Sequence, residues 1–269
     1  MGSDQARAVT VHQEQAGLFE SRYEQFERDP YFDSFTYSRR KLEQVLAHYL
    51  EPLPNGAKLL DVGCGTGNLL RRLGSRFVCA GCDPAEEMLQ RARARNPGVE
   101  LKVAPAEKLP FEDDHFDVVL CIEVMRYLAD PRTALRELAR VLRPGGLALV
   151  TFAPLATTTL YPVVNALTSR VRLPGLTHVR QHFHTVRGAE RLLAGAGFGR
   201  VEMSARYFGP FIYLNRLSRP ATSTLLRRWE PVDDRLARRR PLRNVANMLV
   251  AAAWKPKPAP TSSTSPGPR

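Results

Sequence analysis

Nowhere does this chain offer a run of about 18 apolar residues, so no membrane-spanning helix is expected. The stretch from Met1 to Gln15 is polar and carries acids, which suits neither a secretory signal nor a transit peptide, and a cytoplasmic location is expected. Cysteine is scarce: four residues, Cys64, Cys79, Cys82 and Cys121, all in or beside predicted strands. Cys79 and Cys82 have CxxC spacing, but an odd offset along a strand turns them to opposite faces. Small core residues in a reducing compartment are therefore expected, with no metal site. There is no internal repeat. Acids are also short, 27 Asp and Glu against 39 Lys and Arg, which leaves a net charge of +12. That excess suits an acidic substrate, nucleic acid or an anionic membrane surface. It is heaviest from Arg216 to Arg243, although a GC-rich coding bias would give the same Arg and Ala content without any function.

What is present is organised around residues 58–70. Leu59, Leu60 and Val62 read as a short buried strand, Gly63, Gly65 and Gly67 as a tight turn, and Asn68 onward as a helix. Such a turn lets backbone N–H groups approach a ligand unshielded. Dinucleotides and S-adenosylmethionine both use one. The dinucleotide fingerprint needs a glycine where this chain has Asn68, which weighs against an NAD-dependent oxidoreductase. Upstream, residues 11–28 read as one polar helix, 31–37 as an aromatic-rich segment, and 39–50 as a second helix capped by Ser38. Residues 1–54 would form a helical lid. From Lys58 onward strands and helices alternate, with strands near 58–62, 77–82, 99–104, 116–122, 147–152 and 200–205. The expected architecture is α/β, a doubly wound, Rossmann-like sheet across 55–254. An Arg-rich helical excursion, 206–244, precedes a last strand at 247–254, and 255–269 is expected to be a disordered tail.

In an open α/β sheet the ligand lies beyond the C-terminal strand ends. Asp61 and the glycine turn follow strand one, and Asp83 closes strand two at the spacing of a ribose-binding acid. Residues 106–111 follow strand three, and Cys121-Ile122-Glu123-Val124 follow strand four. The last run is not an Asn/Asp-Pro-Pro-aromatic motif, so methylation of nucleobase amino groups is not expected.

Leu-Leu-Asp-Val-Gly-Cys-Gly-Thr-Gly, Gly81-Cys82-Asp83-Pro84 with Met88-Leu89, Ala106-Glu107-Lys108-Leu109-Pro110-Phe111, Phe116-Asp117-Val118-Val119 and Leu138 to Gly146 occur in order. Together they resemble the small-molecule class I S-adenosylmethionine-dependent methyltransferases of the ubiquinone/menaquinone C-methyltransferase group. The resemblance implies a seven-stranded sheet and S-adenosyl-L-methionine as cofactor. It implies methionine-side contacts at Asp61, Gly63, Cys64, Gly65 and Gly67, and a ribose contact at Asp83. Pro84 and Met88 would flank the adenine, Ala106 and Glu107 would lie at its edge, and Cys121 would line the floor. Pro105 stands where the family often has Asp, leaving Glu107 as a substitute. Arg126-Tyr127 replaces the family's frequent His pair.

A base is needed only where the accepting atom must lose a proton. Candidates are His178, His182, His184, Tyr127 and Glu123, with His182, His184 and Tyr127 foremost. The expected function is methyl transfer to a small hydrophobic metabolite, at oxygen first and carbon next. The alternatives are a methyltransferase directed to RNA or membrane lipid, or a basic nucleic-acid-binding protein. A small-molecule acceptor is expected and nucleic acid is not. Peripheral contact with a membrane through 206–244 would suit the charge.

Overall fold

The computed structural model describes residues 3–168 and 181–258. Two short helices, α1 (Ser3–Glu14) and α2 (Ala16–Arg28), replace the single helix expected over 11–28, with Gln15 at the break. The aromatic segment belongs mostly to α3 (Ser34–Leu50), which starts earlier than Ser38. Asp33 is its cap: the carboxylate accepts from Thr36 N–H at 2.8 Å, and Asp33 N–H donates to Thr36 Oγ1 at 3.0 Å. This reciprocal box satisfies amide donors that the first turn of a helix otherwise leaves open.

The chain then alternates through β1 (Lys58–Val62), α4 (Asn68–Leu73), β2 (Val78–Asp83), α5 (Glu86–Arg95), β3 (Glu100–Val103) and β4 (Phe116–Cys121). A single 3-10 turn, Met125–Tyr127, leads to α6 (Pro131–Val141) and β5 (Leu142–Phe152). Next come α7 (Tyr161–Thr168), α8 (Val186–Gly195), β6 (Arg200–Arg206), α9 (Phe211–Leu217), α10 (Arg219–Ala237), a 3-10 stretch over Arg240–Val245, and β7 (Met248–Trp254). Asp130 caps α6, taking the N–H groups of Arg132 and Thr133, with Pro131 at the first turn where no amide donor is lost. β4 is buried almost throughout, as a parallel strand covered on both faces must be.

The seven strands form one sheet in the order β3-β2-β1-β4-β5-β7-β6. β1 to β5 pair in parallel, but β7 runs antiparallel to both β5 and β6, so the sheet is mixed. β7 returns directly beside β6, an arrangement antiparallel neighbours permit without a crossover. Leu249 to Ala253 fill its slot between β5 and β6 and are fully buried. One core layer lies between the sheet and α6 and α8, and the other beneath α3 and α4. Cys79 and Cys82 do face opposite layers. The Arg-rich excursion is α9 and the continuous helix α10, with Pro231 inside it. Residues 259–269 of the expected tail lie outside the described residues, while Lys255 is tied back to Asp114 at 2.6 Å.

Candidate active site

Beyond the C-terminal ends of β1, β2 and β4 lies a cavity of about 430 Å³. That falls within the roughly 300–1,000 Å³ of small-molecule sites. Its floor is the glycine turn. Gly63, Cys64 and Gly65 line it, as do Asp61, Asp83, Pro84 and Met88. At Gly65 the backbone is left-handed (φ +53°), and a Cβ there would project into the opening, with only Met88 Cε as near as 4.0 Å. Glycine thus leaves room for a ligand to lie against the main chain. Gly67 does something else. A Cβ there would meet Asn96 Nδ2 at 2.4 Å and Ala92 Cα at 3.3 Å, so this glycine lets α4 pack on α5, away from the cavity.

Two carboxylates, those of Asp61 and Asp83, line the floor. Asp83 is held by main-chain donors: Gly65 N–H and Ala85 N–H each reach one of its oxygens at 2.9 Å. Asp61 is 2% exposed. Burial and then the negative charge of Asp83 push its carboxyl up to about 7, partly offset by the Arg39 guanidinium. The Cys64 thiol is also driven up, chiefly by burial, and stays protonated.

The roof comes from the three N-terminal helices, each presenting one helical face. Gln5, Ala8 and Val9 project from α1, Phe19, Arg22 and Tyr23 from α2, and Phe35 and Arg39 from α3. The i, i+3, i+4 spacing of these residues puts each set on one side of its helix. The aromatics were visible in the sequence; Arg22 and Arg39 were not singled out. The signal was there, because each arginine sits one helical turn from an aromatic residue of the same set. Thr66 and Asn68, at the start of α4, also reach the cavity and were missed.

The wall after β4 is Ile122, Glu123 and Val124, followed by Arg126 and Tyr127. Glu123 adopts a left-handed backbone (φ 62°), secured by its N–H to Thr151 Oγ1 at 2.6 Å, and its carboxylate pairs with Arg126. Tyr127 lines the cavity, and its phenol is pushed up to about 12, mainly by burial, with Arg126 opposing. Three of the expected cofactor contacts stand back from the cavity. Cys121 and Ala106 are buried in the central core beneath it. Glu107 lies behind Gln5, whose Nε2 donates to its carboxylate at 2.9 and 3.1 Å.

The histidines also stand elsewhere. His182 is held through its N–H to the Arg126 carbonyl at 2.8 Å, and His184 through its N–H to that of Ala153 at 2.8 Å. The His184 ring packs edge-on against Phe152, centroids 5.3 Å apart, and its Nε2 is buried without a hydrogen-bond partner among the described residues. Burial, with His182 nearby, lowers its pKa and keeps it neutral. Neither ring lines the cavity. His178 lies outside the described residues.

Residues 60–150 match the family described as "Methyltransferase domain". A malonyl-[acyl-carrier protein] O-methyltransferase of Methylococcus capsulatus is 34% identical over 171 residues, 61% of this chain and 60% of that protein. A ubiquinone biosynthesis O-methyltransferase of Parvibaculum lavamentivorans is 32% identical over 170 residues, 60% of this chain and 66% of that protein. The alignments thus span under two thirds of either relative's length. Among solved structures, a S-adenosylmethionine-dependent methyltransferase of Thermotoga maritima shares the fold with a TM-score of 0.59 at 18% identity, covering 91% of this chain and 98% of that one. Residues 60–150 thus match a methyltransferase domain, and the sheet has the fold of an S-adenosylmethionine-dependent methyltransferase.

The residues around the cavity fit S-adenosylmethionine, the cofactor of proteins with this fold. The Gly65 cradle admits a ligand against the main chain, and two carboxylates stand where a ligand with hydroxyl and ammonium donors needs acceptors. Gln5, which lines the cavity beneath α1, has its Oε1 buried and without a hydrogen-bond partner among the described residues.

Proposed function

We propose that the protein transfers a methyl group from S-adenosylmethionine to an oxygen of a small organic acceptor held beneath the N-terminal helices. When bound, the cofactor supplies a methyl group already activated on a sulfonium. The protein's own task is therefore to align the accepting atom and exclude water. Asp83 would accept from the ribose hydroxyls. Asp61, with the backbone at Gly63, Cys64 and Gly65, would hold the methionine part. Pro84 and Met88 would flank the adenine, with Gln5 at its edge in front of Glu107. Phe19, Tyr23 and Phe35 would close over the acceptor, which makes 1–54 a lid. The observation that carries this reading is that Asp61 and Asp83 line one cavity with a glycine cradle, roofed by aromatic side chains.

Oxygen is favoured over carbon because both relatives above are named O-methyltransferases. Asp83→Ala is expected to weaken S-adenosylmethionine binding by about 10-fold or more, since a charge-assisted hydrogen bond contributes roughly 1.5–3 kcal/mol. Calorimetry would read this directly, and unchanged affinity would refute the assignment of the site.

A second role, contact with an anionic lipid surface, is favoured by the charge arrangement of the excursion. Between 216 and 243 the acids Glu230, Asp233 and Asp234 all turn inward to α3, while Arg216, Arg219, Arg228, Arg235, Arg238, Arg239 and Arg240 have no ion pair among the described residues.

A further inference from the structure

Three guanidinium groups line the cavity, those of Arg22, Arg39 and Arg126. Arg126 is matched by Glu123. Arg39 lies close enough to Asp61 for its charge to act on that carboxyl, which puts it on the methionine side, where the cofactor brings a carboxylate of its own. Arg22 is left over. It has no ion pair among the described residues, and it lies over the Phe35 ring at 5.1 Å from the centroid. Arg39 lies over the same ring at 5.7 Å and over Tyr23 at 5.1 Å. A guanidinium laid on an aromatic face keeps its edge N–H groups available, and that fork matches the two oxygens of a carboxylate.

Among the described residues the cavity also lacks a base suited to its roofed half. Glu123 is paired with Arg126, Asp83 accepts from two backbone N–H groups, and Asp61 sits on the floor beside the glycine turn. Tyr23 and Tyr127 hold their protons more tightly than free phenols, chiefly through burial. The rings of His182 and His184 lie off the cavity. An alcohol or phenol acceptor would need a proton removed in the transition state; a carboxylate arrives without one.

Resting on the methyltransferase reading above, we infer that the acceptor is a carboxylic acid, bound as its carboxylate by Arg22 at the Phe35 ring, and that the product is its methyl ester. One carboxylate oxygen donates a lone pair to form the new C–O bond as the C–S bond breaks. The electron pair of that bond passes to sulfur, so the sulfonium becomes a neutral thioether and the carboxylate a neutral ester. No proton moves and no co-reactant is needed. Arg22 supplies orientation, and the apolar roof of Phe19, Tyr23 and Phe35 holds the body of the acid.

The test uses the full chain saturated with S-adenosylhomocysteine and titrated with 4-phenylbutanoate and octanoate, each against its primary amide. The acids are expected to bind at least about 10-fold more tightly than the amides, the scale of one charge-assisted contact. In Arg22→Ala that preference should vanish while S-adenosylhomocysteine binds unchanged, and Arg22→Lys should restore part of it. Arg22 is exposed, so neither variant threatens the fold. Equal binding or no binding of acid and amide, or an Arg22→Ala variant that keeps the preference, overturns the inference. With methyl-labelled cofactor the product label should be released as methanol by alkali; an alkali-stable label on a phenol or alcohol would also overturn it. Failure of S-adenosylhomocysteine to bind would instead sink the methyltransferase reading itself.

Discussion

Asp61 and Asp83 end adjacent strands, and burial together with their mutual repulsion raises the Asp61 carboxyl from 3.8 to about 7. A carboxyl that is easier to protonate folded than unfolded favours the folded state at low pH, and that contribution is lost as pH rises through about 7. A bound ammonium group reverses the preference, because it needs the carboxylate. Affinity for S-adenosylmethionine is thus expected to rise as pH passes through about 7 and then level off. Calorimetry in buffers of different ionisation enthalpy should show proton release on binding below about pH 7 and little well above it. Asp61→Asn should bind more weakly and lose this dependence; a wild-type affinity flat across the range would exclude Asp61 as the ammonium partner. The acids and Gly65 were legible in the sequence because a strand end fixes where a carboxylate must point. Gly67 and Cys121 do not line the cavity, and the same logic could not foresee that. Spacing marks a turn, but whether a glycine meets a ligand or a neighbouring helix depends on Asn96 and Ala92, distant in the chain. Arg22 was hidden for a different reason: on a polar helix an arginine looks like any solvated charge until the facing ring, Phe35, is known.

At the level of elements, α3 joins the cavity to the excursion. Phe35 and Arg39 line the cavity, while Tyr37 and Lys41 face α10. Lys41 is fully buried, with Nζ 3.1 Å from Glu230 and 2.8 Å from Asp234. Tyr37 donates to Asp233 at 3.0 Å, and Asp233 also accepts Phe208 N–H at 2.7 Å. Removing one partner of such a cluster leaves buried carboxylates uncompensated, a loss of roughly 3–5 kcal/mol. Lys41→Ala should therefore lower the free energy of unfolding by about that much, read as a lower midpoint in urea, and Tyr37→Phe by less. A midpoint unchanged in Lys41→Ala would mean the clamp does not hold α3. This clamp also explains why the helices were misjudged from sequence. Aromatic density at 31–37 and Pro231 both argue locally against helix, but Asp33 caps the first, and the acids flanking Pro231 are gripped by α3 across the second.

For the molecule as a whole, the alternation of strands was enough to read the α/β sheet, whereas β7 running antiparallel between β5 and β6 was not, because an apolar run carries no direction. The net charge of +12 was equally plain, but its placement required knowing which acids are already engaged. Elsewhere many arginines meet acids, among them Arg71, Arg72, Arg91, Arg140 and Arg143. On α10 the acids are taken by Lys41 and Arg40, so the outward side is left to arginine. Beside it, Tyr213 donates to the Thr159 carbonyl and joins α9 to the 157–160 turn. Leu217 is 84% exposed there, Leu160 66% and Val163 58%. Apolar side chains beside unmatched arginines suit a bilayer interface, with the arginines at lipid phosphates, each contributing about 1 kcal/mol. The protein is expected to sediment with phosphatidylglycerol-containing vesicles at low ionic strength and not with pure phosphatidylcholine. Salt of about 0.5 M, with a screening length well below 8 Å, should release it. Replacing Arg238, Arg239 and Arg240 by Glu should abolish sedimentation while leaving cofactor binding intact, because these residues lie outside the cavity. Equal recovery with neutral and anionic vesicles, or none with either, would leave the arginine face without a role at a membrane.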